Sequence, residues 1–192
     1  MNCFHNFTAP LWELFAGNLL FLLCSIFYLV WWIVCFRPNA SSGQSGGVFL
    51  AFAFLTGITA LILLSVGINA FSATSKALPI RFILIGAVAL YLILLSVTAA
   101  VFHRQVTSEL IIMVIWAALQ LSVITVLYGT GRFDFGRTAA AVMLVGAAIV
   151  IGMICYVLYY RLDGSSSYID GMIPLAADAV VMAVLSGMLV TS

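Results

Sequence analysis

Asp178 stands inside the apolar run Pro174-Leu-Ala-Ala-Asp178-Ala-Val180. An acid in such a run is suited to hold a cation, a proton or a polar substrate, because an ionisable group inside a membrane span is expensive. A central Asp costs about 2.5–3.5 kcal/mol on insertion scales, and the ten strongly apolar residues around it return about 3–6 kcal/mol. The segment therefore inserts with little margin. The competing role for Asp178 is structural: a hydrogen bond to a hydroxyl or to a backbone group freed by Pro174, or a position near enough to the interface to hydrate.

A second constellation is Glu109, Met113, Trp116 and Gln120. At about 100° per residue these four fall within roughly 60° of one another on a helix. Such a stripe could line a water-accessible cavity with an aromatic wall. The plainer reading puts Glu109 in the first helical turn, favoured by the helix dipole, and bonds Gln120 to a neighbouring helix. Asn18 and Ser25 are seven residues apart and share a face, as do Tyr91 and Thr98. Thr56, Thr59, Ser65 and Asn69 are scattered over several faces. Interhelical hydrogen bonds are the default expectation for all of these.

Other chemistries lack their residues. There is no HExxH, GxSxG, CxxC or Walker pattern, so neither a metal nor a cofactor is expected. Cys3, Cys24, Cys35 and Cys155 have no metal or redox spacing, and Cys24 and Cys155 read as small hydrophobes. The two histidines, His5 and His103, give haem ligation little to work with. Lys76 is the single lysine and falls in a connection, which excludes a Schiff base inside a span. Asn6-Phe-Thr8 and Asn39-Ala-Ser41 match the glycosylation pattern but fall on opposite membrane sides.

The elements that must position these groups follow from composition. Of 192 residues, 65% are hydrophobic and only 7% charged, with 7 Lys+Arg against 6 Asp+Glu. A soluble domain carries about 25% charged residues, and a nucleic-acid binder needs a basic patch. Both are excluded, as is a disordered chain. An all-α polytopic membrane protein remains. A bilayer core of about 30 Å takes roughly 20 apolar residues per helix. Six segments qualify: 11–36, 48–71, 80–102, 107–128, 137–161 and 168–190, a single transmembrane domain over 1–192. The first run is too long for a signal peptide and has no basic residue before Arg37, so it is expected to stay as a span. Pro10 and Glu13 suit its first turn. Tyr28, Trp31 and Trp32, and later Tyr156, Tyr159 and Tyr160, read as aromatic belts.

Connections on one side hold Arg37, Arg104 and Arg161; the other side holds Lys76, Arg81, Arg132 and Arg137. That bias is too small to set an orientation by the positive-inside rule; cytoplasmic termini, in a cell membrane, are the expectation. Glu13-Leu14 and Glu109-Leu110 open spans one and four, 96 residues apart, half the chain. This would suit two inverted three-helix repeats with a site near the midplane, although any evenly looped six-span chain divides this way. Small-residue stripes, chiefly Ala179-Ala183-Gly187, with Ala53-Gly57, Ala118-Ser122 and Ala148-Gly152, would serve the internal bundle or a homo-oligomer.

The function expected from these residues is transport or permeation of a small solute or ion, with Asp178, Gln120, Trp116 and Asn18 lining a site between spans one, four and six. The rivals are a non-catalytic subunit that binds a protein or lipid, and a lipid-modifying enzyme using Asp178, or Asp163 and Asp170 with Arg161. The bilayer is the expected partner, and nucleic acid is not.

Overall fold

A computed structural model describes residues 8–36, 46–72, 80–102, 108–159, 162 and 165–191. It is all-helical: α1 (Ala9–Phe36), α2 (Gly47–Ser72), α3 (Ile80–Phe102), α4 (Ser108–Gly129), α5 (Phe135–Tyr159) and α6 (Ser165–Val190). Five are long and apolar enough to cross a membrane, and α3 contributes a shorter apolar stretch, Phe82–Val97. These helices fit an integral membrane protein.

Two starts differ from expectation, and both matter. The amides of Leu11 and Trp12 donate to the Thr8 carbonyl at 3.0 and 3.1 Å, so Thr8 is the cap of α1. Glu13 therefore lies beyond the first turn rather than in it. Helix α6 begins at Ser165, three residues before Tyr168, so Asp170 lies inside the helix past its first turn and Asp178 stands midway along it.

The chain forms two compact units, residues 1–67 with 146–192, and residues 68–145. In the first, α1 and α2 run antiparallel through their glycines. A Cβ at Gly17 would lie 2.8 Å from Leu64 Cγ, one at Gly67 would lie 2.9 Å from Leu14 Cδ2, and one at Gly57 would lie 3.1 Å from Cys24 Sγ. Further along, Phe27 stacks on Phe52 with ring centroids 5.5 Å apart. Small residues let the helices approach where apolar burial supplies no drive in lipid.

Helix α6 packs along α1, the most extensive helix pair of the unit. Near the end of α1, the Trp32 ring lies against Gly171 near the start of α6, and Trp32 Nε1 donates to the Tyr168 carbonyl at 3.2 Å. The two helices thus run antiparallel. The Ala179-Ala183-Gly187 stripe does not join this packing: Ala183 and Gly187 are exposed, and nothing lies within 4 Å of a Cβ built at Gly187.

In the second unit α3 packs on α4. Helix α4 ends in a glycine cap: Arg132 N donates to Leu127 O at 2.9 Å and Gly131 N to Tyr128 O at 3.0 Å, with Gly131 at φ 73°. Asp134 then opens α5, its Oδ1 accepting from Arg137 N at 3.1 Å. The pairs α1·α6 and α3·α4 are those that exchange of two three-helix halves would produce. The side chains do not follow such an exchange: Phe82 stands 96 residues before Asp178.

Several intramembrane hydroxyls bond within their own helix, and among them Thr56 and Thr59 depart from the interhelical bonds expected. Thr56 donates to Phe52 O at 2.7 Å, Thr59 to Leu55 O at 2.8 Å, Ser96 to Leu92 O at 2.8 Å and Ser122 to Ala118 O at 2.7 Å. Each bonds one turn back within its own helix, where an acceptor is always in reach. Thr56 also meets the Cys24 thiol of α1.

Candidate functional site

The contact of Trp32 with Gly171 sets the register of the α1–α6 seam. Seven residues, about 10.5 Å of helix, carry each strand of the seam to its next pair. Ser25 of α1 comes level with Asp178 of α6, and Asn18 comes level with Leu185 and Ser186. Gly171, Asp178 and Leu185 lie on one stripe of α6, as Asn18, Ser25 and Trp32 do on α1.

Asn18 is fully buried. Its Nδ2 donates to the Leu14 carbonyl at 3.0 Å, but its Oδ1 has no partner among the described residues. The hydroxyl of buried Ser186, at the same level, also has none. Asp178 is half-buried on the inner stripe and makes no hydrogen bond or ion pair among the described residues. The structural hydrogen bond weighed for it from sequence is therefore not present there. No Lys, Arg or His occurs among the described residues of this unit.

Two turns nearer the start of α6, Asp170 is only 4% exposed. One side of its carboxyl meets the buried Cys155 thiol of α5, and its Oδ2 has no partner among the described residues. Pro174 has no N–H, which frees the Asp170 carbonyl oxygen as a further acceptor. Glu13 is the third acid among the described residues of this unit. It lies on the α1 face that meets α2, near Gly17, with its Oε2 buried and unpartnered among the described residues.

Trp116 and Gln120 belong to the second unit. They stack one turn apart on α4, Trp116 at 2% and Gln120 at 0% exposure. Trp116 Nε1 and both amide atoms of Gln120 are buried without partners among the described residues. The hydrogen bond expected from Gln120 to a neighbouring helix is not made among the described residues. The structure thus brings Asn18 and Asp178 onto one seam and places Trp116 and Gln120 together on α4. The Glu109 side chain, Arg37, Lys76, His103, Arg104, Arg161, Asp163 and the asparagines of both Asn-x-Ser/Thr matches, Asn6 and Asn39, fall outside the described residues or side chains.

Sequence reasoning undervalued Asp170, Glu13 and Ser186. The signal for Asp170 is present in Ser165-Ser-Ser167, residue types favoured at a helix start that lie outside the expected span 168–190. Thr8 was the corresponding signal for Glu13. Cys155, read as a small hydrophobe, is buried as expected, but it also lies against the Asp170 carboxyl.

Comparison of the chain with protein-family models, with curated proteins and with solved structures finds no match.

Proposed function

We propose that this chain carries a small solute or ion across a membrane and that the binding group is Asp178, at the middle of the α1–α6 seam. One observation carries the reading: a midspan carboxyl on an inner helix face, level with a hydroxyl and lacking a basic partner among the described residues. An ionised carboxylate in hydrocarbon is costly unless something neutralises it. A purely structural acid would be expected to have its hydrogen bonds filled, and this favours a carrier over a packing subunit. Asn18 supplies an open acceptor two helical turns from the level of Asp178. Trp116 and Gln120 supply a second polar spot on α4, with two donors and an acceptor open. Among the described residues no group on the α1–α6 seam carries positive charge, which favours a neutral or cationic cargo.

A thermal-shift screen of small solutes and ions on the purified chain tests this. A ligand at about 100 times its Kd stabilises the folded state by roughly 2.7 kcal/mol. At least one compound should raise the melting temperature of the wild type and not that of Asp178→Asn. Equal shifts in both proteins, or no shift with any compound, count against the assignment.

A further inference from the structure

We infer that the ion handled at the α1–α6 seam is the proton, received at Asp170 and held at Asp178, and not a metal cation. This rests on the transport reading above and names its cargo. A bare charge at Asp178 needs a neutralising partner, and no basic side chain of this unit is present among the described residues to supply one. A proton or a cation must do so instead.

The two differ in what they demand of the protein. Hard cations such as Ca²⁺ and Mg²⁺ take about six or more oxygens. Sodium sites in transporters draw on backbone carbonyls of unwound helix segments. Neither condition is met at Asp178. Helix α6 is continuous from Ser165 to Val190, so its carbonyls are engaged in the helix ladder. Pro174 frees only the Asp170 carbonyl, which is about two turns away. The next residues along the same stripe, Val181 and Met182 one turn from Asp178 and Leu185 two turns away, are apolar and buried. Ser25 adds a single hydroxyl. One carboxyl and one hydroxyl are too few oxygens for a metal shell, whereas a proton needs only the carboxyl.

Asp170 has the features of a buried relay group, reached by water that enters from the start of α6. It is 4% exposed, its Oδ2 is open, the freed carbonyl is its own, and Cys155 lies against its other side. It lies about 7.5 Å from the start of α6, and Asp178 lies about 12 Å further on. That gap is too long for direct transfer, so the step runs through water. A proton leaves the Asp170 carboxyl, an equivalent proton joins a carboxylate oxygen of Asp178, and Asp170 is reprotonated from bulk water. Beyond Asp178, Asn18 Oδ1 and the Ser186 hydroxyl offer the next open polar atoms. The other titratable groups described on these elements are Cys155 and Tyr156 on α5, Tyr168 on α6, and Glu13, Cys24, Tyr28 and Cys35 on α1, of which Glu13 and Cys24 are on its α2-facing side.

The test uses the full chain in phospholipid vesicles loaded with a pH-sensitive dye, driven by a potassium diffusion potential. Infrared difference spectra are recorded on the same samples. Proton entry should depend on the protein, fall to the level of empty vesicles in Asp178→Asn, persist in Asp178→Glu, and be slowed in Asp170→Asn. The wild type should show a deuterium-sensitive carbonyl band of a protonated carboxyl that is missing in Asp178→Asn and indifferent to replacing sodium by choline. That band needs no variant to be seen, so a poorly folding mutant does not blunt the test. Sodium or solute flux dependent on Asp178 without proton movement overturns the proton assignment and leaves the transport reading standing. Wild-type proton flux in Asp178→Asn removes the site. Absence of any flux and of the band overturns both.

Discussion

Replacing Gly171 by Ala tests the register on which the seam depends. A Cβ there would run into the Trp32 ring, with Cε2 at 3.0 Å and Cη2 at 3.1 Å and one ring carbon closer still. The ring is rigid, and its Nε1 is tied to the Tyr168 carbonyl at 3.2 Å. Overpacking of this kind costs about 1–3 kcal/mol. Moving the ring forfeits the hydrogen bond, worth about 0.5–1.5 kcal/mol net. Ala regains about 0.5–1 kcal/mol over Gly as a helix former. The balance is a destabilisation near 2 kcal/mol, roughly a thirtyfold change in the unfolding equilibrium. Gly187→Ala, on the same helix with nothing within 4 Å, should be neutral or stabilising by up to about 1 kcal/mol. Equilibrium unfolding of the micellar protein in dodecyl sulfate, followed by tryptophan fluorescence, separates the two signs. In a Trp32→Ala background most of the cost of Gly171→Ala should disappear, because the obstructing ring is gone. If Gly171→Ala is as stable as the wild type, or if its cost is unchanged in the Trp32→Ala background, the packing of α6 on α1 argued here is wrong.

Gly131→Ala should cost about 1 kcal/mol in the same assay, because Gly131 holds φ 73° at the end of α4 and a side chain is disfavoured there. Asp134→Ala removes the cap of α5 and should cost about 0.5–2 kcal/mol, while Asp134→Ser should recover most of it. Gln120→Leu should stabilise the protein by about 1–3 kcal/mol, since it removes a buried amide without partners among the described residues. If Gln120 also touches cargo, the same variant will transport less while melting higher, so melting temperature and vesicle uptake are measured together.

The six helices were legible in the residues. A bilayer accepts only segments that satisfy their own backbone, so each apolar run of about 20 residues must be a helix. Polar starts were harder to read. Thr8 and Ser165–Ser167 belong to helix caps and first turns but resemble loop, so Glu13 was assigned to a first turn and Asp170 to the edge of a loop.

Which way each side chain faces was not legible. In a soluble protein the polar face of a helix marks the solvent side, but here lipid and core are both apolar, and periodicity loses its meaning. Asn18, Ser25 and Asp178 could be named as polar and intramembrane from the chain alone. That Ser25 and Asp178 share a level depends on Trp32 lying against Gly171, a contact between residues 139 positions apart. The hydroxyls were likewise identifiable as bonded but not as bonded to their own helices, because a carbonyl one turn back competes with any partner across the seam. Composition and run length by themselves determined that the chain is a helical membrane protein with one acid that apolar surroundings do not explain. Only tertiary packing decided that Asp178 lies on an inner face with no basic partner among the described residues, because helix register is set by close contacts at glycines and not by hydropathy.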